Sequence, residues 1–240
     1  MSFPDPANGS ANDATLLASE RAYTALRTDI LMGVHAPGAA LRLSDLRARY
    51  SIGPSPLREA LFRLASQRLV LQESNRGFRV PPLDLSEWRD VVTMRGRLEP
   101  AAAEASVLAG DDTWEDRLVL AHRHLTRLGR AAELVRAGRD ARDVSQWETA
   151  HRALHRALIA ACGSKWTIHF CDHLSDQFDR YRRFAPPSPE VQEALSAHHD
   201  GLVAAGLDRD GPACRQLLET HIAMTGAAVS DVLGRLHAGA

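Results

Sequence analysis

Three features of the sequence predict a mainly α-helical chain in two parts. Apolar residues recur at helical spacing over most of its 240 residues. One short alternating stretch, at residues 69–80, interrupts them. Pro81-Pro82 then separates that stretch from a second region in which no strand pattern returns. The expected architecture is an N-terminal winged helix-turn-helix over residues 14–82 and a C-terminal antiparallel all-helical bundle over residues 83–240, preceded by a disordered arm at residues 1–13.

The arm is expected because Met1 to Asn12 is rich in Pro, Gly, Asn and Asp. Leu16, Leu17, Tyr23, Leu26, Ile30 and Leu31 predict a helix over 14–33, with Gly33 at its C-terminal end. His35-Ala-Pro-Gly38 is a turn signal, and Leu41 to Leu43 a short extended piece. Ser44 is the expected N-cap of a second helix, Asp45 to Tyr50, with Asp45 placed to suit the helix dipole. After the turn Ile52-Gly53-Pro54, Ser55 is the expected N-cap of a third helix with Pro56 as its first residue. Leu57, Leu61, Leu64 and Leu69 point inward from it, while Arg58, Arg63 and Arg68 lie elsewhere on its surface. Leu69 to Leu71 and Phe78 to Val80 predict a hairpin around Asn75-Arg76-Gly77, and Pro81-Pro82 a stiff linker. Beyond it, six helices are expected at about 86–108, 112–137, 144–162, 165–184, 189–206 and 210–236.

Composition narrows the function classes. The chain is 45% hydrophobic and 25% charged, as a globular protein is, and long enough to bury a core without staples. Cys162, Cys171 and Cys214 form no CxxC pair, which argues against a zinc ribbon or a disulfide framework and fits a reducing cytoplasm. No apolar run approaches the roughly 20 residues of a membrane span. The N-terminus lacks the basic start and apolar stretch of a signal peptide, so a cytoplasmic protein without a membrane partner is expected. Net charge is −1, which by itself suggests no nucleic acid. Residues 1–82 carry 10 Arg against 7 acidic residues and the remainder 19 basic against 23 acidic, a weak asymmetry.

The N-terminal order suits DNA. A helix start at Ser55 would turn free N–H groups and a positive dipole end toward phosphates. Arg58 lies one turn in, within reach of a base edge or a phosphate, and Arg76 on the wing can approach the minor groove. Periodicity alone does not separate this from a structural layer with arginines on its wet face. The stretch Ala25 to Ile30, Gly33, Pro37-Gly38, Leu41, Leu46, then Ile52-Gly-Pro-Ser-Pro-Leu-Arg-Glu-Ala-Leu61, closed by Gly77-Phe-Arg-Val80, resembles the winged helix of the GntR family of transcription regulators. The resemblance covers residues 20–82. It implies contacts with double-stranded operator DNA at Ser44, Ser55, Arg58, Arg76 and Gly77. Arg47 and Arg63 can contact phosphate or equally well be arginines of a solvated face. One departure is Pro54, which stands where many members carry a base-reading Arg, so their operator sequences do not transfer.

Histidines concentrate in the second part. His151 and His155 are four apart and share a helix face, a spacing that lets two imidazoles hold one metal. His199 and His221 can converge on them from adjacent helices; four imidazoles would suit zinc, nickel, copper or iron. A surface or hydrogen-bonded His pair fits the spacing as well. His122 and His124 have no partner at a useful spacing and read as surface residues. Arg95 to Ala102, Ala153 to Leu158 with Cys162-Gly-Ser164, and His199 through Asp210 to His221 resemble the FCD ligand-binding domain of FadR-like GntR regulators, over roughly 85–235. In that domain an Asp and three His commonly bind a divalent metal; here the Asp position is His151. Trp147, His151, His155 and Cys162-Gly-Ser164 look like the carbon-starvation-induced, glutarate-responsive branch. The resemblance implies a homodimer, a divalent metal (zinc or nickel) on His151, His155, His199 and His221, a small carboxylate effector gripped by Arg95, and repression without enzymatic activity. Arg95 can equally form a surface ion pair with Glu99 at i+4. A metal-dependent hydrolase and a helical interaction module without a DNA role are the alternatives.

Overall fold

The computed structural model describes residues 6–73, 77–129 and 141–238, in two compact units, 1–83 and 84–240. The first unit contains α1 (Pro6–Leu31), α2 (Leu43–Tyr50), α3 (Pro54–Ser66), β1 (Leu71–Glu73) and β2 (Gly77–Arg79). Helix α1 begins at Pro6 rather than at residue 14, so the expected disordered arm is helical from there on; a proline is compatible with a helix's first turn, where its missing N–H would have no partner. Ala22, Leu26 and Ile30 of α1 pack with Leu57, Leu61 and Leu64 of α3 in a core that also takes Leu46, Leu69 and Val80.

Strands β1 and β2 pair antiparallel, with Leu71 opposite Arg79 and Glu73 opposite Gly77. The first strand thus starts two residues later than expected. Leu69 and Val70 are instead core residues, held behind an αL turn at Arg68 (φ 59°). Ala40 adds a bridge to Arg79, and Leu41 N–H donates to Phe78 C=O at 2.7 Å, which makes the extended piece before α2 a third rung of the wing.

In the second unit six helices follow among the described residues: α4 (Leu85–Ala109), α5 (Asp112–Arg127), α6 (Ala141–Leu158), α7 (Lys165–Phe184), α8 (Pro189–Leu207) and α9 (Gly211–Ala238). Helix α4 packs along α9 and α7, α9 along α8, and α5 along α6 and α8. The caps are local and readable. Asp84, Asp111, Ser164 and Ser188 each accept a backbone N–H from the first turn of the following helix. Helix α5 ends at Arg127, ten residues short of the expected 137, followed by Leu128 and a left-handed Gly129 (φ 79°). Where α4 and α9 cross, Gly226 is required, since a Cβ there would lie 2.7 Å from Val92 Cγ1. Beside it Trp88 is fully buried and donates its indole N–H to Gly226 C=O and Ser230 Oγ, each at 3.1 Å.

Candidate DNA-binding and effector sites

In the first unit the turn between α2 and α3 is set by Ser51, which ends α2 in the left-handed region (φ 54°), and by extended Gly53. Neither expected serine cap forms. The N-cap of α2 is Arg42, with no side-chain bond, and Ser44 lies within the helix, donating to Asp45 Oδ1 at 2.9 Å. The N-cap of α3 is Gly53, because Pro54 already has the φ of a first helical residue. Ser55 therefore lies in the first turn. Pro54 and Pro56 lack N–H groups, and Leu57 N–H is bound to Gly53 C=O at 3.3 Å. The backbone cradle expected for phosphate is reduced to Gly53 and Ser55.

Ser44, Arg47, Ser55 and Arg58 are all exposed, and Ser44, Arg47 and Gly53 line one open cleft. Arg63 is engaged elsewhere: it pairs with Glu20 and lies over the Tyr23 ring, 3.8 Å from its centroid. Arg49 pairs with Asp29 and Arg79 with Glu73, both at 2.8 Å. Gly77 is exposed with φ 85°, a conformation that favours glycine. Arg76 lies outside the described residues.

In the second unit His151 and His155 from α6, His199 from α8 and His221 from α9 meet in the interior, each at most 6% exposed. One nitrogen from each lies within 4.8 Å of the others, and the Nε2 atoms of His151 and His155 are 3.2 Å apart. Four-residue spacing on α6 and the packing of α8 on α9 produce the convergence. His198 is not part of the group; its ring stands 6.0 Å from His221. Burial is the first cause that holds all four imidazoles neutral, with His199 pushed down to about 3. Arg182 adds to this at His151 and His199, and Arg95 at His155. Three ring nitrogens, His155 Nδ1, His199 Nε2 and His221 Nδ1, are buried without a hydrogen-bond partner. Neutral imidazoles with unpartnered nitrogens are what a divalent transition metal takes as ligands.

A cavity of about 160 Å³ opens beside the cluster, lined by Arg95, Trp147, Phe178, Arg182, His199 and His221 among others. Arg95 pairs with Glu99 at 2.6 Å as expected from the i+4 spacing, but the pair is buried rather than at the surface, at 4% and 3% side-chain exposure. Its guanidinium also lies 4.1 Å from the Phe178 ring centroid. It is therefore both an ion-pair partner and a cavity wall. His122 bonds Asp200 at 2.8 Å between α5 and α8, a partner its sequence neighbourhood does not suggest; His124 is exposed.

Sequence reasoning passed over the network around Arg182. This side chain pairs with Glu148 and with Asp179 (3.2 Å), approaches His151 Nδ1 at 3.5 Å, and lies 5.4 Å from the Trp147 ring centroid. Arg152 pairs with Asp176 and Asp179. It also passed over Tyr181, fully buried on the neighbouring face of α7. The Tyr181 hydroxyl accepts from Asp84 N–H at 3.2 Å and donates to Glu87 at 2.8 Å, its pKa pushed up to about 12 by burial first. Arg180-Tyr181-Arg182 within a helix carries no signal beyond ordinary polarity.

Comparison with known proteins agrees with this architecture. Residues 18–80 match the gntR family of bacterial regulatory proteins, and residues 90–224 match the FCD domain. The chain is 38% identical over 204 residues to the uncharacterized HTH-type transcriptional regulator BphR of Paraburkholderia xenovorans, covering 85% of this chain and 81% of that one. It is 33% identical to the HTH-type transcriptional repressor GlaR of Escherichia coli, covering 83% and 90%. Among solved structures, E. coli McbR/YncC superposes with a TM-score of 0.74 at 19% identity, over 89% of this chain and 97% of that one, a likeness of fold. Among the described residues no helix is long and apolar enough to cross a membrane. The chain belongs to the GntR family: it is a DNA-binding transcription regulator, not an enzyme, and its helical part is an FCD domain.

Proposed function

We propose that the chain is a homodimeric repressor whose FCD domain holds a divalent transition metal, zinc or nickel, on His151, His155, His199 and His221 and there takes up a small carboxylate that changes operator binding. The observation that carries the reading is the buried cluster itself: four neutral imidazoles, three with an unpartnered nitrogen, beside a cavity. The metal would supply a positive charge that four neutral ligands leave uncompensated, which favours an anionic effector. Arg95 donates Nε to Glu99 and keeps its remaining N–H groups for a carboxylate. Phe178, Trp147 and Leu195 give the cavity an apolar wall against the effector's carbon chain. GlaR is a repressor by name, and this supports the sign of the regulation.

The route from cavity to DNA runs through α7. Phe178 and Arg182 face the cavity, while Tyr181, one residue before Arg182, holds the Asp84 N–H, the first residue after the Pro81-Pro82-Leu83 linker. A shift of α7 on effector binding thereby reaches the point where the linker enters the bundle, and in a dimer it refits two winged helices to a two-fold operator. Ser44, Ser55 and Arg58, with the wing residues Arg76 and Gly77, contact that DNA. A hydrolase reading has less support, because Glu148 and Asp179, whose oxygens lie within 4.8 Å of a His151 nitrogen, are both engaged by Arg182.

The test is metal analysis of purified protein together with anisotropy titration of DNA from its own upstream region. One metal per chain, lost in His155→Ala, and operator affinity altered by small carboxylates only in the metal-loaded wild type are expected. Absence of metal from both proteins, or a carboxylate response that survives His155→Ala, overturns the reading.

A further inference from the structure

Two groups of metal-ligating side chains share His151. One is the four-histidine cluster; the other is Glu148, His151 and Asp179, whose ligand atoms also lie within 4.8 Å of one another. A cation placed beside His151 thus has two donor sets to choose from, one of imidazoles and one containing two carboxylates. Arg182 already occupies the second. It bonds Glu148 and Asp179 together, stands 3.5 Å from His151 Nδ1, and is held over Trp147, with only 10% of its side chain exposed. Asp179 is further committed to Arg152, which also holds Asp176. Both carboxylates of the acidic group are thus paired with guanidinium, Glu148 through Oε2 and Asp179 through both oxygens.

We infer that Arg182 is a metal-specificity residue: an internal cation that reserves Glu148 and Asp179 and so keeps the metal centre purely imidazole. The inference rests on the proposed metal site. Imidazole sets suit zinc, nickel and copper, whereas carboxylate oxygens suit manganese and magnesium. Guanidinium cannot give up its charge by deprotonation, so the reservation holds at any physiological pH. With Arg182 removed, Glu148 loses its ion-pair partner and Asp179 keeps only Arg152, while both remain beside His151, and a hard cation becomes a competitive occupant. Arg182 touches the metal's ligands rather than the metal, so its role is positioning.

Calorimetric titration of metal-stripped full-length protein with Ni2+, Zn2+ and Mn2+ tests this, using Glu148→Gln, Arg182→Met and the double variant. Wild type and Glu148→Gln are expected to bind Ni2+ and Zn2+ within about threefold of each other, with Mn2+ at least 100-fold weaker. Arg182→Met is expected to narrow the Zn2+ to Mn2+ ratio at least tenfold, and the double variant to restore it. An unchanged ratio in Arg182→Met overturns the inference, as does a tenfold or greater loss of Zn2+ affinity in Glu148→Gln, which would make Glu148 a working partner of the metal. Should Arg182→Met not fold, the Glu148→Gln result decides alone. Failure of wild type to bind any of the three ions would instead remove the metal site on which the inference stands.

Discussion

Acidification probes the histidine cluster without any knowledge of the effector. In the folded, metal-free chain the four imidazoles are held neutral by burial, His199 down to about 3, whereas an unfolded histidine titrates near 6.5. Between those values the unfolded chain binds more protons than the folded one. Stability therefore rises with pH: it is fully present above 6.5 and is lost progressively as pH falls toward the folded values. Each such histidine contributes a slope of about 1.4 kcal/mol per pH unit, so four together remove about 5 kcal/mol on going to pH 5.5. That is comparable with the whole stability of many domains. Urea unfolding of metal-stripped protein at pH 7.5, 6.5 and 5.5, followed by helical circular dichroism, measures the loss. His221→Gln should remove roughly one quarter of the slope. A stability that stays level from pH 7.5 to 5.5 would refute the neutral, buried cluster.

Three further outcomes follow from the packing. Gly226→Ala brings a methyl group to 2.7 Å from Val92 and should cost about 1–3 kcal/mol in thermal or urea unfolding, since β-branched Val92 has little freedom to yield. Arg58→Ala should weaken operator binding by about 1–3 kcal/mol in anisotropy titrations, while Arg63→Ala, whose partners are Glu20 and Tyr23, should leave it unchanged. Tyr181→Phe loses the hydroxyl bonds to Asp84 and Glu87; it should retain metal content and basal operator affinity but reduce the factor by which a carboxylate changes that affinity.

Much of this molecule was legible because its signals are local. Helices α7 and α8 begin where Ser164 and Ser188 cap them, as the sequence punctuation suggests. The i, i+4 pair on α6 and the spacing of His199 from His221 allow four rings to meet, because short connections leave adjacent helices few ways to pack. The same spacing fits a surface pair, however, and it was the resemblance to the FCD domain that singled out the four. Errors arose where two local rules compete. Ser44 and Ser55 are good caps in isolation, but Gly53 with Pro54 fixes the start of α3 two residues earlier than Ser55 would. Leu69 to Leu71 has strand-like composition, yet the core beneath α1 and α3 claims Leu69 and Val70 and delays the strand. The Arg182 network and the Tyr181 bonds join residues about 30 and 100 positions apart, and no spacing rule at that range exists to be read.

The two prolines at the start of α3 bear on how this regulator meets DNA. Pro54 and Pro56 fix φ at both positions, and Gly53, Ser51 and the bond from Leu57 N–H to Gly53 C=O hold the preceding turn. The segment that carries Ser55 and Arg58 is consequently shaped before contact, and association loses little backbone entropy there. Under the proposed contacts of Ser55 and Arg58, discrimination between operators depends on a few side chains projecting from a rigid edge. Exchanging those side chains can retune the preferred sequence without disturbing the helix that presents them.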